Sequence, residues 1–333
     1  MAMGSIVGLN EIPFFDLSEA TGRFFSSAMF YDAGDWRMWM SIGEGKFIET
    51  KAWPAEGFYY GRHAELKTDL HLHFLDFIAQ RASYLEIQKP LMGLRDDFFN
   101  VSASLAKISH IHATKASLGS GDGRMVITEI EYLFSVCRSM MDLLQEIAAK
   151  LWEMIELLET FVSPKKKLRK SFGDMIWYEG RRTTLHDLQY RFGLPPVWAD
   201  FYLQHIDFFL LVKSFRDNII HNGSQVQTIF SSDDGYLVNS SLKPFDQMDI
   251  WTENEKNANI LVPLMPALGM VVYRTILMCE EFTVMLEKCI RFPKPLVPDM
   301  KLYMRGFFDE HFAQVIGDAE ERFCLKREAK GFK

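Results

Sequence analysis

Thr128 to Leu158, TEIEYLFSVCRSMMDLLQEIAAKLWEMIELL, is the stretch that decides the fold class. Ile130, Phe134, Cys137, Met141, Leu144, Ile147, Leu151, Ile155 and Leu158 recur at threes and fours, the spacing that lays one apolar stripe along an α-helix. Thr128, with Glu131 three residues on, reads as a capping box opening that helix, and Ser163-Pro164 ends it. About 30 residues at the helical rise make a rod of about 45 Å. Towards the C-terminus, Pro195-Pro196 suits the first turn of a second helix over Val197 to His221, stopped by the left-handed exit Asn222-Gly223. A third, apolar and bent near its prolines, is expected over Asn257 to Ile290. An amphipathic tail helix is expected over Met300 to Arg327.

Towards the N-terminus, Gly119-Ser-Gly-Asp-Gly123 breaks the chain and marks the best boundary. Before it, helical spacing runs from Tyr60 to Gln88 and more weakly from Leu91 to Ser117. Arg37 to Ile42 and Lys46 to Thr50 flank Gly43-Glu-Gly45 as a small hairpin, and Val226 to Phe230 with Tyr236 to Asn239 suggest another. The expected class is mainly α. An antiparallel helical bundle is expected over residues 125–295, preceded by a region of α and some β structure at 1–120 and followed by a helical tail at 299–333.

Composition narrows the function classes. Of 333 residues, 48% are apolar and 24% charged, which excludes wholesale disorder, and 28 phenylalanines promise a large core. The net charge of −7 means that any nucleic acid must be held by a local basic patch. Cys137, Cys279, Cys289 and Cys324 show neither disulfide-framework nor zinc spacing. The N-terminus has no signal-peptide pattern, and the longest greasy run, Ile260 to Tyr273, is interrupted by Pro263, Pro266 and Gly269. A soluble, reduced, cytoplasmic protein is the expectation, with no membrane span. His71-x-His73 and His110-x-His112 are poorly placed for chelation on a helix, so no metal is assigned.

Chemistry concentrates in Phe215-Arg-Asp-Asn-Ile-Ile-His-Asn-Gly223. On a helical wheel Arg216 shares a direction with Trp198 and lies near Tyr202 and Phe209, so it is expected inside the buried stripe. There its guanidinium needs an acidic or phosphate partner. Glu131 and Asp142 of the preceding helix are the candidate acids. His221 falls about 140° from Arg216, towards the edge of the apolar face. Asp217 precedes His221 by four residues and can orient or charge-stabilise its ring, which the helix C-terminus also favours as the cation.

This segment resembles the Arg-(four to six residues)-His signature of the HEPN superfamily, many of whose members cleave RNA in bacterial defence systems. The resemblance covers roughly residues 128–290. It implies a metal-independent endoribonuclease, a defence or toxin effector with no cofactor, whose site is completed across a homodimer. Arg216 is then expected to polarise the scissile phosphate and His221 to act as acid or base. Asp217 is the polar residue after the arginine, and Asn222 is an adjacent helper. RNA is the expected partner, with an antitoxin or regulatory protein also possible, and residues 1–120 are expected to sense a trigger or hold the nuclease inactive. Lys165, Lys166, Lys167, Arg169, Lys170, Arg181 and Arg182, with Trp177 and Tyr178 between the clusters, suit RNA backbone contact and base stacking, or else form a solvated loop. The alternative of another class is a non-catalytic module for dimerisation or protein docking, in which Arg216 is a structural ion pair.

Overall fold

The computed structural model describes residues 6–154, 164–222, 228–257 and 260–329; the side chains of 218–222 and of 329 lie outside the described residues. Five strands come first, β1 (Ile6–Gly8), β2 (Ser27–Asp32), β3 (Asp35–Gly43), β4 (Lys46–Thr50) and β5 (Gly57–Gly61). The expected hairpin is present as β3 and β4, and Ala33 and Gly34 join β2 to β3 with positive φ angles of 51° and 84°. Such a two-residue turn matches the twist of its strands only with both residues left-handed. Helices α1 (His73–Arg81), α2 (Leu85–Ala113), the short α3 (Lys115–Leu118) and α4 (Asp122–Met154) follow. Next come α5 (Phe172–Ile176), β6 (Trp177–Tyr178), β7 (Arg181–Arg182), α6 (Leu185–Phe192) and α7 (Pro196–Asn222). The chain continues through β8 (Phe230–Ser231), β9 (Tyr236–Asn239), β10 (Leu261–Pro263), α8 (Leu264–Cys289), β11 (Lys301–Arg305) and α9 (Glu310–Ala329).

The mainly α expectation is overturned: this is a mixed α/β fold. A six-stranded sheet runs β1-β4-β3-β2-β5-β11, antiparallel except where β2 lies parallel to β5. Two smaller sheets, β10-β9-β8 and β6-β7, accompany it. The sixth strand falls where a tail helix was expected. Lys301 to Arg305 pairs with Gly61 to Gly57 of β5, burying Leu302 and Met304. β5 in turn occupies the start of the helix expected over Tyr60 to Gln88, whose helical part is α1 and the opening of α2.

The long helices pack beside the sheet. α2 and α4 form an antiparallel hairpin: Lys150 donates to the Glu86 carbonyl at one end, and Ser104 donates to the Glu129 carboxylate near the other. The glycine segment expected to separate domains is the turn of that hairpin. α4 starts at Asp122, ahead of the expected Thr128 cap, and Thr128 instead back-bonds to the Met125 carbonyl from inside the helix. Along α4 and α7, the pairs Trp152–Trp198 and Phe134–Phe215 (ring centroids 5.1 and 4.1 Å apart) run in opposite chain directions. α8 lies antiparallel to α7 through Phe201–Phe282 and His205–Glu281. α9 runs parallel to α8, close enough that Gly269 faces Val315 and Ala319. One core extends from Phe74 to Val315 and draws on all three expected segments, and a second, smaller one packs Phe30, Trp39 and Phe47 of the sheet with Leu296, Val297 and Met300.

Candidate functional site

Arg216 stands on the surface, not in the buried stripe. Its side chain is 45% exposed and makes a 3.3 Å hydrogen-bonded ion pair with its neighbour Asp217. The wheel argument fails for a local reason. Trp198, Tyr202 and Phe209 share that direction and are buried because Trp152 of α4 and Phe172 of α5 cover them. Gly173 seats the Phe209 ring, and two turns beyond it α5 no longer covers the helix. Phe215 carries the core contact at this end instead.

The two acids proposed as anchors for Arg216 are engaged or placed otherwise. Asp142 accepts the Phe172 amide at 3.1 Å and lies at ion-pair distance, 2.5 Å, from Arg138, whose guanidinium sits 4.3 Å over the Phe209 ring. Glu131 has a buried Oε1 with no hydrogen-bond partner and makes no ion pair with Arg216. α7 continues to Asn222, so the backbone of His221 belongs to its last turn. The side chains of His221 and Asn222 lie outside the described residues.

The basic segment is tied down at several points. Its backbone is pinned to α4, where Trp152 Nε1 donates to the Lys166 carbonyl and Gln145 Nε2 to that of Arg169, at 2.9 and 2.8 Å. Lys167 pairs with Glu153, Arg181 doubly with Asp187, and Arg182 with Asp207 at 2.6 Å. Arg181, first of all, holds the Asp187 carboxyl far below its ordinary range. Lys165 sits over the Trp152 ring, and Lys166 donates to the Tyr190 carbonyl. Among the described residues Arg169 and Lys170 carry no ion pair, so the patch open to phosphate is smaller than the sequence suggests. Trp177 and Tyr178 form β6 against Arg182 and Arg181; Trp177 is exposed, and Tyr178 is stacked by Arg191 at 3.9 Å.

A cavity of about 680 Å³ opens between α7, α8, α9 and the segment at 247–250, and sequence reasoning did not single it out. Trp251 donates to the Pro263 carbonyl and Arg322 donates to the Ile250 carbonyl and to Glu255, fixing that segment against α9. Arg274, half-buried in the wall, lies 4.3 Å over the Phe208 ring and 6.0 Å from that of Phe323. Burial pulls its guanidinium down to about 10, against the favourable pull of Asp207 and Glu281. Among the described residues it has no hydrogen bond or ion pair. His205 is 6% exposed; its Nε2 lies 2.9 Å from a Glu281 oxygen but off hydrogen-bond geometry, and so lacks a hydrogen bond. Lys326 and Arg327 stand at the α9 side, Lys326 paired with Asp249 at 2.7 Å. The sequence did carry a signal for this wall: Arg274 is the only charged residue between Leu264 and Cys279.

Among the described residues no three or more histidine, cysteine, aspartate or glutamate side chains group to hold a metal ion. All four cysteines are free, three of them buried. No described helix is long and apolar enough to cross a membrane. No protein-family model, curated protein or solved structure matches the chain.

Proposed function

We propose that the chain is a metal-independent endoribonuclease of the HEPN type, acting as a homodimer that brings two α7 ends to one cleft. The observation that supports it is the position of Arg216: an exposed guanidinium in the last turns of a 27-residue helix, paired among the described residues with the adjacent Asp217 at 3.3 Å. An ion pair this exposed is weak, so a phosphodiester can displace Asp217 at little cost. His221 shares the same helix end, where the macrodipole favours a protonated ring. In this reading His221 moves the proton while the ribose 2′-oxygen attacks phosphorus and the bond to the 5′-oxygen breaks. Arg216 neutralises charge growing on the phosphorane oxygens. Asp217 and Asn222 orient the pair. Arg169 and Lys170, with Lys166, then carry the RNA backbone, and the ion-paired Lys167, Arg181 and Arg182 contribute less.

The test is incubation of purified protein with RNA in EDTA. Wild type is expected to leave 2′,3′-cyclic phosphate ends. Arg216→Ala and His221→Ala are each expected to abolish cleavage with the helical circular dichroism unchanged. Full activity in either variant, or none in wild type, overturns the assignment; a stable dimer without cleavage points to the docking module instead.

A further inference from the structure

We propose that the cavity between α7, α8 and α9 binds an amphipathic organic anion, its oxyanion head on Arg274 and its apolar body along the helix faces. This site is separate from the α7 end and does not depend on the ribonuclease reading. Three observations converge on it. First, a volume of about 680 Å³ lies in the range of sites for small organic ligands. Second, a half-buried guanidinium facing that volume has an aromatic ring on one face and no carboxylate bonded to its N–H fork. A buried or part-buried arginine normally meets an acid, and a bidentate carboxylate or phosphate fits its fork. Third, the two carboxylates of the lining are taken up elsewhere and do not answer Arg274: Glu281 lies 2.9 Å from His205 Nε2, and Asp249 lies 2.7 Å from Lys326 Nζ.

The ligand class follows from the rest of the lining. Arg274, Lys326 and Arg327 set three cations against the carboxylates of Asp249 and Glu281, with Lys326 already paired to Asp249. That balance leaves one net positive charge on the wall and disfavours a cationic ligand. Leu211, Met248, Met270 and Leu277 line it beside the polar Gln204 and Gln247, a mixed wall that suits an alkyl or aromatic body and not a bare ion. A carboxylate and a phosphate monoester share this chemistry, and the experiment separates them.

The probe is 1-anilinonaphthalene-8-sulfonate, an aromatic body with one oxyanion, titrated by fluorescence into the full-length protein. One molecule is expected per chain, displaced by decanoate or by decyl phosphate, the better of the two identifying the head group. Decanol, which lacks the head, and inorganic phosphate, which lacks the body, are each expected to compete at least about tenfold less well, the worth of one charge-assisted contact. Arg274→Met is expected to weaken the probe by about tenfold or more with the melting temperature retained. Leu277→Trp, which fills the cavity and leaves the charge in place, is expected to abolish binding independently. Unchanged affinity in either folded variant, or decanol competing as well as decanoate, overturns the proposal.

Discussion

Arg305 and Arg274 both lie over aromatic rings and differ in what meets their charge. Arg305, at the end of β11, sits 4.8 Å over Trp36 and donates to both Asp69 oxygens at 3.1 and 2.7 Å, and also to Glu65. Asp69 in turn accepts the Tyr59 hydroxyl at 2.6 Å and the Leu66 amide at 3.0 Å, so every buried polar atom at that corner has a partner. Arg274 has the ring without the acid. A buried charge that is fully answered belongs to the architecture: Arg305 fastens the last strand to the loop after β5. One left unanswered in a cavity is a charge kept for something that arrives later.

The largest expected effect breaks the first half of that contrast. Arg305→Met strands Asp69 as a buried carboxylate without a counter-ion, and should cost about 3–5 kcal/mol in denaturant unfolding. Burial pushes the Asp69 carboxyl up, but Arg305 and Tyr59 outweigh it and hold the group below its ordinary value. Its stabilisation is therefore present at neutral pH and lost as the pH falls through that lowered value. In the variant this acid-side loss should disappear, because the orphaned group now gains from protonation. A variant within about 1 kcal/mol of wild type at neutral pH shows that the corner is ornamental.

A smaller effect tests whether the cavity depends on how closely α9 approaches. A Cβ on Gly269 meets Val315 Cγ1 at 2.8 Å and the Val315 carbonyl oxygen at 3.0 Å, and the backbone oxygen cannot rotate away. Overpacking of this kind costs about 1–3 kcal/mol. The better helix propensity of alanine returns about 0.5–1. Gly269→Ala should thus lose about 1 kcal/mol net and weaken the anionic probe, since α9 carries Phe323 and Lys326. Stabilisation by this substitution means that α9 slides freely and that the cavity wall is not set by Gly269.

The helices were legible in the sequence where a long run of core contacts repeats a single face, as in α4 and α7. The six-stranded sheet was legible only where a turn announced it, at Gly43-Glu-Gly45; the second expected hairpin stands as β8 against β9, with Val226 outside the described residues. β11 is five residues long and pairs across some 240 positions with β5. No local period distinguishes Leu302 and Met304 on a strand from the first turn of an amphipathic helix. Arg216 misled for a related reason: the wheel gives its direction correctly, but whether that direction is buried depends on how far α5 reaches, which the wheel does not contain. The cavity was hidden because its walls come from three helices and a loop. The lone charge at Arg274, in the most apolar run of the chain, was the one trace of it.

Asp97 gives the contrast its anionic counterpart. It lies half-buried on α2 with one oxygen lacking a hydrogen bond, and burial raises its carboxyl to about 6, aided by Asp96 and opposed by Ser139 and Asn100. Between the ordinary carboxylate value and about 6 the native state holds more protons than the unfolded chain, so stability falls as the pH rises through that window. Asp97→Asn should remove this dependence and raise stability at pH 7 by about 1 kcal/mol, after discounting for partial exposure. A larger pH dependence in the variant than in wild type places the titrating group elsewhere.

The smallest expected change is the one that separates Arg274 from Arg305 most sharply. Arg274→Met gives up a cation–π contact worth about 1 kcal/mol or less at a partly exposed site. It also removes a guanidinium whose burial has already drawn it down to about 10, which is to say a charge the fold holds at a cost. Methionine matches the length and apolar character of the stem that lies over Phe208. The two terms nearly cancel, so unfolding should be unchanged or slightly more difficult, where the identical substitution at Arg305 costs several kcal/mol. A marked loss of stability at Arg274 means that the fold itself depends on that charge, through a partner it acquires only in solution, and the two arginines then belong to one class.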